Sequence, residues 1–97
     1  MKILDKIGMC RAYKGYLYWE EAIMMAKRTR KDKINISEIY RKIGEKYEET
    51  PVAIERNMTR TLERVKNLEK KLKSDYKLTT KKALMLLASK QKGEEDE

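Results

Sequence analysis

Arg56, Arg60 and Arg64 recur at i, i+4 and i+8 in a stretch that reads as one helix. On an α-helix that spacing sets them on a common face, with Ala53 and Asn57 beside them. An arginine fork donates two parallel hydrogen bonds to a guanine edge and also pairs with phosphates. The small Ala53 lets a groove come close to the start of the helix. From Pro51 to Lys73, lysine and arginine exceed glutamate by four. Phosphate and base recognition is therefore the chemistry this face offers. The plainer alternative is a solvated face of a helical bundle, since basic helix faces are common.

Other chemistries are poorly supplied. The 97-residue chain contains no histidine and one cysteine, Cys10. The commonest general base and the commonest transition-metal ligand are thus missing, and one thiol builds neither a zinc site nor an intrachain disulfide. Gly8, Gly15, Gly44 and Gly93 are too scattered for a phosphate-cradling loop. Most carboxylates stand beside lysine or arginine on expected helix surfaces. No enzyme, no cofactor and no metal is expected. The formal net charge is +8 and the pI about 9.6, and the acidic end Glu94–Glu97 masks a still more basic body. Such an excess points to a polyanion, usually nucleic acid and less often an anionic membrane surface. The longest apolar run, Ala83–Ala88, is far too short to span a bilayer, and no signal-peptide pattern follows Met1. A reducing cytoplasm fits the lone cysteine.

The elements that must position the arginines are helical. Ile3, Leu4 and Ile7 predict a short first helix ending at Gly8. Tyr16, Trp19, Ala22, Ile23 and Ala26 predict a second over about 16–28, followed by a basic loop. Ile36, Ile39, Tyr40, Ile43 and Tyr47 predict a third over 36–47, capped by Asn35 or Ser37. Thr50 followed by Pro51 is the clearest helix start in the chain. A threonine suits the cap, and proline suits the first helical position because its missing N–H has no partner there anyway. Ile54, Met58, Leu62 and Val65 give this fourth helix its buried stripe, over about 51–65. Leu68 and Leu72 suggest a separate short helix, 73–78 an irregular stretch, and Thr79 or Thr80 the cap of a last helix. The fold expected is all-α, a compact bundle of about five or six helices containing a helix-turn-helix. It forms one domain over 1–92, with a disordered acidic tail at 93–97 that serves as a solubilising end or covers the basic face transiently.

The segment Lys14-Gly-Tyr-Leu-Tyr-Trp-Glu-Glu-Ala-Ile23 resembles the opening of the DNA-binding effector domain of the stage zero sporulation regulator family. Ile39–Lys46, Thr50 and Ile54-Glu55-Arg56 are similar to it at compatible spacing. The resemblance implies an all-helical domain that binds a short DNA box, often in tandem, and regulates transcription. Taken with the shared helix face, it makes Thr50, Glu55, Arg56, Asn57, Thr59, Arg60 and Arg64 the expected contacts to double-stranded DNA, and the resemblance itself implies that Glu55 and Arg56 approach the base edges. A carboxylate accepting from a cytosine amine beside an arginine on guanine is sound chemistry. Thr59 stands where the family has arginine and Arg60 where it has histidine, so the family's box is not expected intact. Two copies on tandem sites and RNA polymerase are the further partners implied, although the polymerase-associated segment is shorter here, at 66–78. No receiver domain precedes the matching region, so a free-standing effector domain is expected. The competing function is a protein-interaction module that binds a sporulation regulator or RNA polymerase without reading DNA.

Four smaller expectations follow. Tyr13, Tyr16, Tyr18 and Trp19 pack in the core with their hydroxyls at its rim rather than stack on bases. Gly44, inside the third helix, allows close approach of the fourth. Cys10 packs as a small apolar residue. Met24, Met25 and Met85 fill gaps in the core rather than form a partner surface.

Overall fold

In the computed structural model, residues 1–95 are described, with side chains for all of these except 31 and 92–95. Six α-helices follow in order: α1 (Lys2–Lys6), α2 (Lys14–Lys27), α3 (Ile36–Tyr47), α4 (Pro51–Glu63), α5 (Leu68–Lys71) and α6 (Thr80–Glu95). A single 3-10 turn, Lys31–Lys33, interrupts the loop between α2 and α3, and no strand occurs among the described residues. The all-α bundle expected from the periodicities is the fold observed.

Local chemistry sets the helix starts. Asn35, and not Ser37, caps α3, its side chain accepting from the Glu38 amide at 3.3 Å. Thr50 caps α4 by accepting from the Ala53 amide at 3.1 Å, with Pro51 in the first turn. Thr79 caps α6, its hydroxyl accepting from the Lys82 amide at 3.3 Å. Each cap satisfies an amide that the helix itself leaves without a carbonyl partner.

Helix α2 is the central element. It packs against α4 and α6 and also touches α3, while α3 lies along α4 and α1 lies on α6. The core is contiguous, and Leu4, Trp19, Ile23, Ile43, Ile54, Met58, Leu84 and Leu87 are its largest fully buried side chains. Burying one such side chain contributes about 1.5–3 kcal/mol, so these helices are held by packing rather than by propensity. At the far end of the core, the Ile3 amide donates to the buried Gln91 side chain at 3.4 Å, tying α1 to α6.

Several expectations shift. Helix α4 ends at Glu63 rather than Val65, and Asn67 turns the chain with φ +56°. Gly44 makes room for the turn and not for α4: a β-carbon there collides with the Glu49 carbonyl oxygen. Cys10 is exposed, and its neighbour Met9 is the one buried. Tyr16, Tyr18 and Trp19 are buried as expected, but Tyr13 is 39% exposed. Helix α6 runs past the expected boundary at Gly93. The side chains of 92–95, together with residues 96 and 97, lie outside the described residues, and with them the expectation of an unpacked acidic tail.

Candidate nucleic-acid interface

Helices α3 and α4 are joined by three residues, 48–50. Glu48 adopts the left-handed conformation, φ +57° and ψ +45°, which reverses the chain at the end of α3. The Glu49 amide then donates to the Gly44 carbonyl at 2.9 Å, and the turn backbone lies flat on α3 where Gly44 has no side chain. A left-handed glutamate is unfavourable by itself, and the hydrogen bonds on either side hold it. From this turn the chain enters α4 with Thr50 and Pro51 already in place, so the direction of α4 is fixed within a few residues.

The inner face of α4 is gripped by α2. The Trp19 indole N–H donates to the Met58 carbonyl at 2.9 Å, in a fully buried setting. The Thr61 hydroxyl donates to the Asn57 carbonyl at 2.8 Å, directly opposite Gly15 of α2. A β-carbon at Gly15 would collide with Thr61 and come 2.8 Å from the Asn57 carbonyl oxygen. The two helices therefore touch backbone to backbone at this crossing. Helix α3 is fastened to α2 separately, since Lys46 pairs with Glu21 and Tyr47 meets Tyr18 edge-on at 5.2 Å between centroids.

The outer face of α4 is what this scaffold presents. Arg56 and Arg60 are exposed and make no hydrogen bond or ion pair with any described residue. Glu55 is exposed on the side facing α3. Its charge, secondary to burial, helps push the Tyr40 phenol up to about 12. Arg64 follows the last residue of α4 and stays exposed, with its guanidinium 4.4 Å from the Tyr13 ring centroid.

The other expected contact residues already have intramolecular work. Thr50 accepts from Ala53, and Asn57 is half-buried with its amide donating to the Ala53 carbonyl at 2.9 Å. Thr59 is half-buried and shares a hydrogen bond of 3.1 Å with Thr80 at the start of α6. The seven candidates thus divide. Arg56 and Arg60 lie together on the open face, Glu55 stands on its α3 side, Arg64 stands at its end, and Thr50, Asn57 and Thr59 are already engaged within the molecule.

Sequence reasoning passed over Val52. It stands one turn before Arg56 on the same outward line and is 56% exposed. Its i, i+4 relation to Arg56 is the signal in the sequence, masked because one aliphatic residue beside Pro51 reads as an ordinary helix start. Beside the C-terminal half of α4 an open groove of about 1000 Å³ runs between Thr59, Leu62, Leu68, Leu78 and Thr80. Among the described residues no group of acidic or thiol side chains is arranged to hold a metal, and no helix is long and apolar enough to cross a membrane.

Two helices packed through a tight turn, with an open arginine-bearing face on the second, define a small all-helical domain built to present one helix. The family profile described as sporulation initiation factor Spo0A C terminal matches residues 1–88. The chain belongs to this family, which comprises DNA-binding effector domains and not enzymes. No curated protein and no solved structure matches it significantly.

Proposed function

We propose that this protein is a sequence-specific transcription regulator acting in the cytoplasm. In this reading the α3–turn–α4 unit is a helix-turn-helix, and the N-terminal half of α4 enters the major groove. The observation that carries it is the division of α4 into two faces. One is held on α2 by the Trp19 bond to Met58 and by the close packing of Gly15 on Thr61, and the other offers Arg56 and Arg60 with no internal partner among the described residues. A rigid helix with free guanidinium groups is the tool for reading guanine edges. Glu55 beside Arg56 suits a neighbouring cytosine amine. Arg64 and the lysines around it suit phosphates, and the net charge of +8 supplies the long-range attraction. Thr50, Asn57 and Thr59 act mainly by holding the helix, their remaining hydrogen-bonding capacity facing the groove walls. Two copies on tandem sites are compatible with a domain whose extents are 33 × 28 × 24 Å.

The test is selection of duplexes from a randomised pool by the unmodified 97-residue chain, followed by titration of the enriched duplex against a scrambled one at several salt concentrations. Enrichment of a short site with salt-dependent affinity is expected. Failure to enrich any sequence, with no salt-dependent binding, overturns the reading in favour of a protein-interaction module.

A further inference from the structure

Val52 is the one large apolar side chain exposed on α4, and it belongs neither to the core nor to the apolar residues packed against it. It sits in the first turn, one residue after Pro51, on the line that continues through Arg56 to Arg60. At 100° per residue, Val52 and Arg60 lie about 40° to either side of Arg56, so all three face outward together. Its exposed neighbours along the helix, Glu55 and Arg56, are charged, and the Thr50 hydroxyl is already used in the cap.

Resting on the DNA-binding reading, we infer that Val52 reads the 5-methyl group of a thymine. The major-groove edge of thymine is the only one that presents a methyl, and aliphatic side chains recognise it by excluding water. Cytosine at the same place would set its amine against a side chain that accepts no hydrogen bond. The position is geometrically apt. Residues four apart are about 6 Å apart along a helix axis, and base pairs are stacked about 3.4 Å apart along one strand. A helix lying along the groove therefore places Val52 about two base pairs from the pair that Arg56 meets. The N-terminal end of α4 then reads an apolar feature and the next turn a polar one.

The experiment isolates one methyl group. In the duplex enriched from a randomised pool, each thymine is replaced in turn by deoxyuridine, which keeps every hydrogen-bonding group and removes only the methyl. For the unmodified protein, one position is expected to lose affinity by about three- to tenfold, the scale of one buried methyl group with its packing. V52A should bind the thymine duplex as weakly as the native protein binds the uracil duplex, and should no longer tell the two apart. V52T, which keeps the branched shape and one methyl, should recover part of the discrimination. Indifference of the native protein to deoxyuridine at every position overturns the assignment while leaving DNA recognition standing. So does discrimination that persists undiminished in V52A. A protein that enriches no duplex fails the DNA reading itself, and the assignment falls with it.

Discussion

The Arg64 guanidinium lies over the Tyr13 ring, 4.4 Å from its centroid, linking the end of α4 to the loop before α2. A cation held on an aromatic face keeps its charge and its outward donors while losing freedom to swing. Arg64 is thus set at the rim of the arginine face as a fixed positive charge, two turns beyond Arg56. Arg64→Ala should weaken preferred and random duplexes equally and make the salt dependence shallower by about one unit. Tyr13→Leu should give a smaller loss with the salt slope unchanged, because the charge stays and only its placement relaxes. Affinity measured on both duplexes across a salt series decides it. A loss confined to the preferred duplex would make Arg64 a base-reading residue instead.

Gly15 is where α2 and α4 cross most closely. Alanine favours a helix over glycine by about 1 kcal/mol, so an open site would gain stability from the exchange. Here the added methyl meets Thr61 and the Asn57 carbonyl oxygen. Gly15→Ala should therefore destabilise the fold by about 1–3 kcal/mol, the usual cost of overpacking. Adding Thr61→Ala should restore part of it, since the Asn57 carbonyl still obstructs. Urea unfolding of the two variants measures both effects. A Gly15→Ala variant as stable as the native chain would mean that the helices separate at little cost.

Beside Gly15 in sequence, Tyr16 donates to Asp5 at 2.8 Å, and Asp5 also accepts from Arg11 Nε at 2.9 Å and lies 3.9 Å from the Met1 amine. These hydrogen bonds, Arg11 foremost, hold its carboxyl well below the usual carboxylate range. A depressed folded-state value makes the unfolded chain bind the proton first as pH falls. The contribution is present above about pH 4, the ordinary carboxylate value, and is lost as the medium becomes more acidic. Tyr16 shows the opposite sign: burial, then its bond to Asp5, pushes its phenol up to about 12. Its contribution is present below about pH 10 and fades above that. Asp5→Asn should be less stable at pH 7 and should lose less further stability between pH 5 and pH 2 than the native chain. Unfolding midpoints across that range check this, and parallel acid limbs would show that Asp5 does not govern them.

How far the residues foretold the structure depends on the range of the interaction. The bounds of α3 follow from a clean apolar stripe behind Asn35, and the start of α4 from Thr50 and Pro51, all local signals. The end of α4 was hidden because Val65 continues the apolar spacing after the helix has stopped, and it is buried all the same. Periodicity also gave the direction of each side chain but not its partner. Asn57 and Thr59 fall near the basic face by spacing, yet Ala53 and Thr80 already engage them. The Trp19 bond to Met58 spans 39 residues, and no local pattern reports it. Gly44 was legible as a close approach, while the identity of the approaching backbone depended on a left-handed Glu48 that glycine or asparagine would have advertised better.

The division of labour along α4 gives the most discriminating expectation. In a helix-turn-helix the N-terminal part of the second helix reaches the base edges. Arg56 lies in the second turn, exposed, with the helix anchored behind it by the Trp19 bond to the Met58 carbonyl and by the close crossing at Gly15. Its fork therefore arrives at a base pair from a fixed origin, and two hydrogen bonds to one guanine are sensitive to that origin. Arg56→Ala should cost about 1–3 kcal/mol on the preferred duplex and relax the preference at one base pair. Arg56→Lys should recover phosphate attraction but not the preference, because an ammonium lacks the planar fork. Neither change should alter the melting temperature, since the side chain touches no core residue. Competition titrations with duplexes varied at each base pair measure the effect. Equal losses on preferred and scrambled duplexes would demote Arg56 to a phosphate contact, and no loss on either would leave the protein-interaction alternative in place.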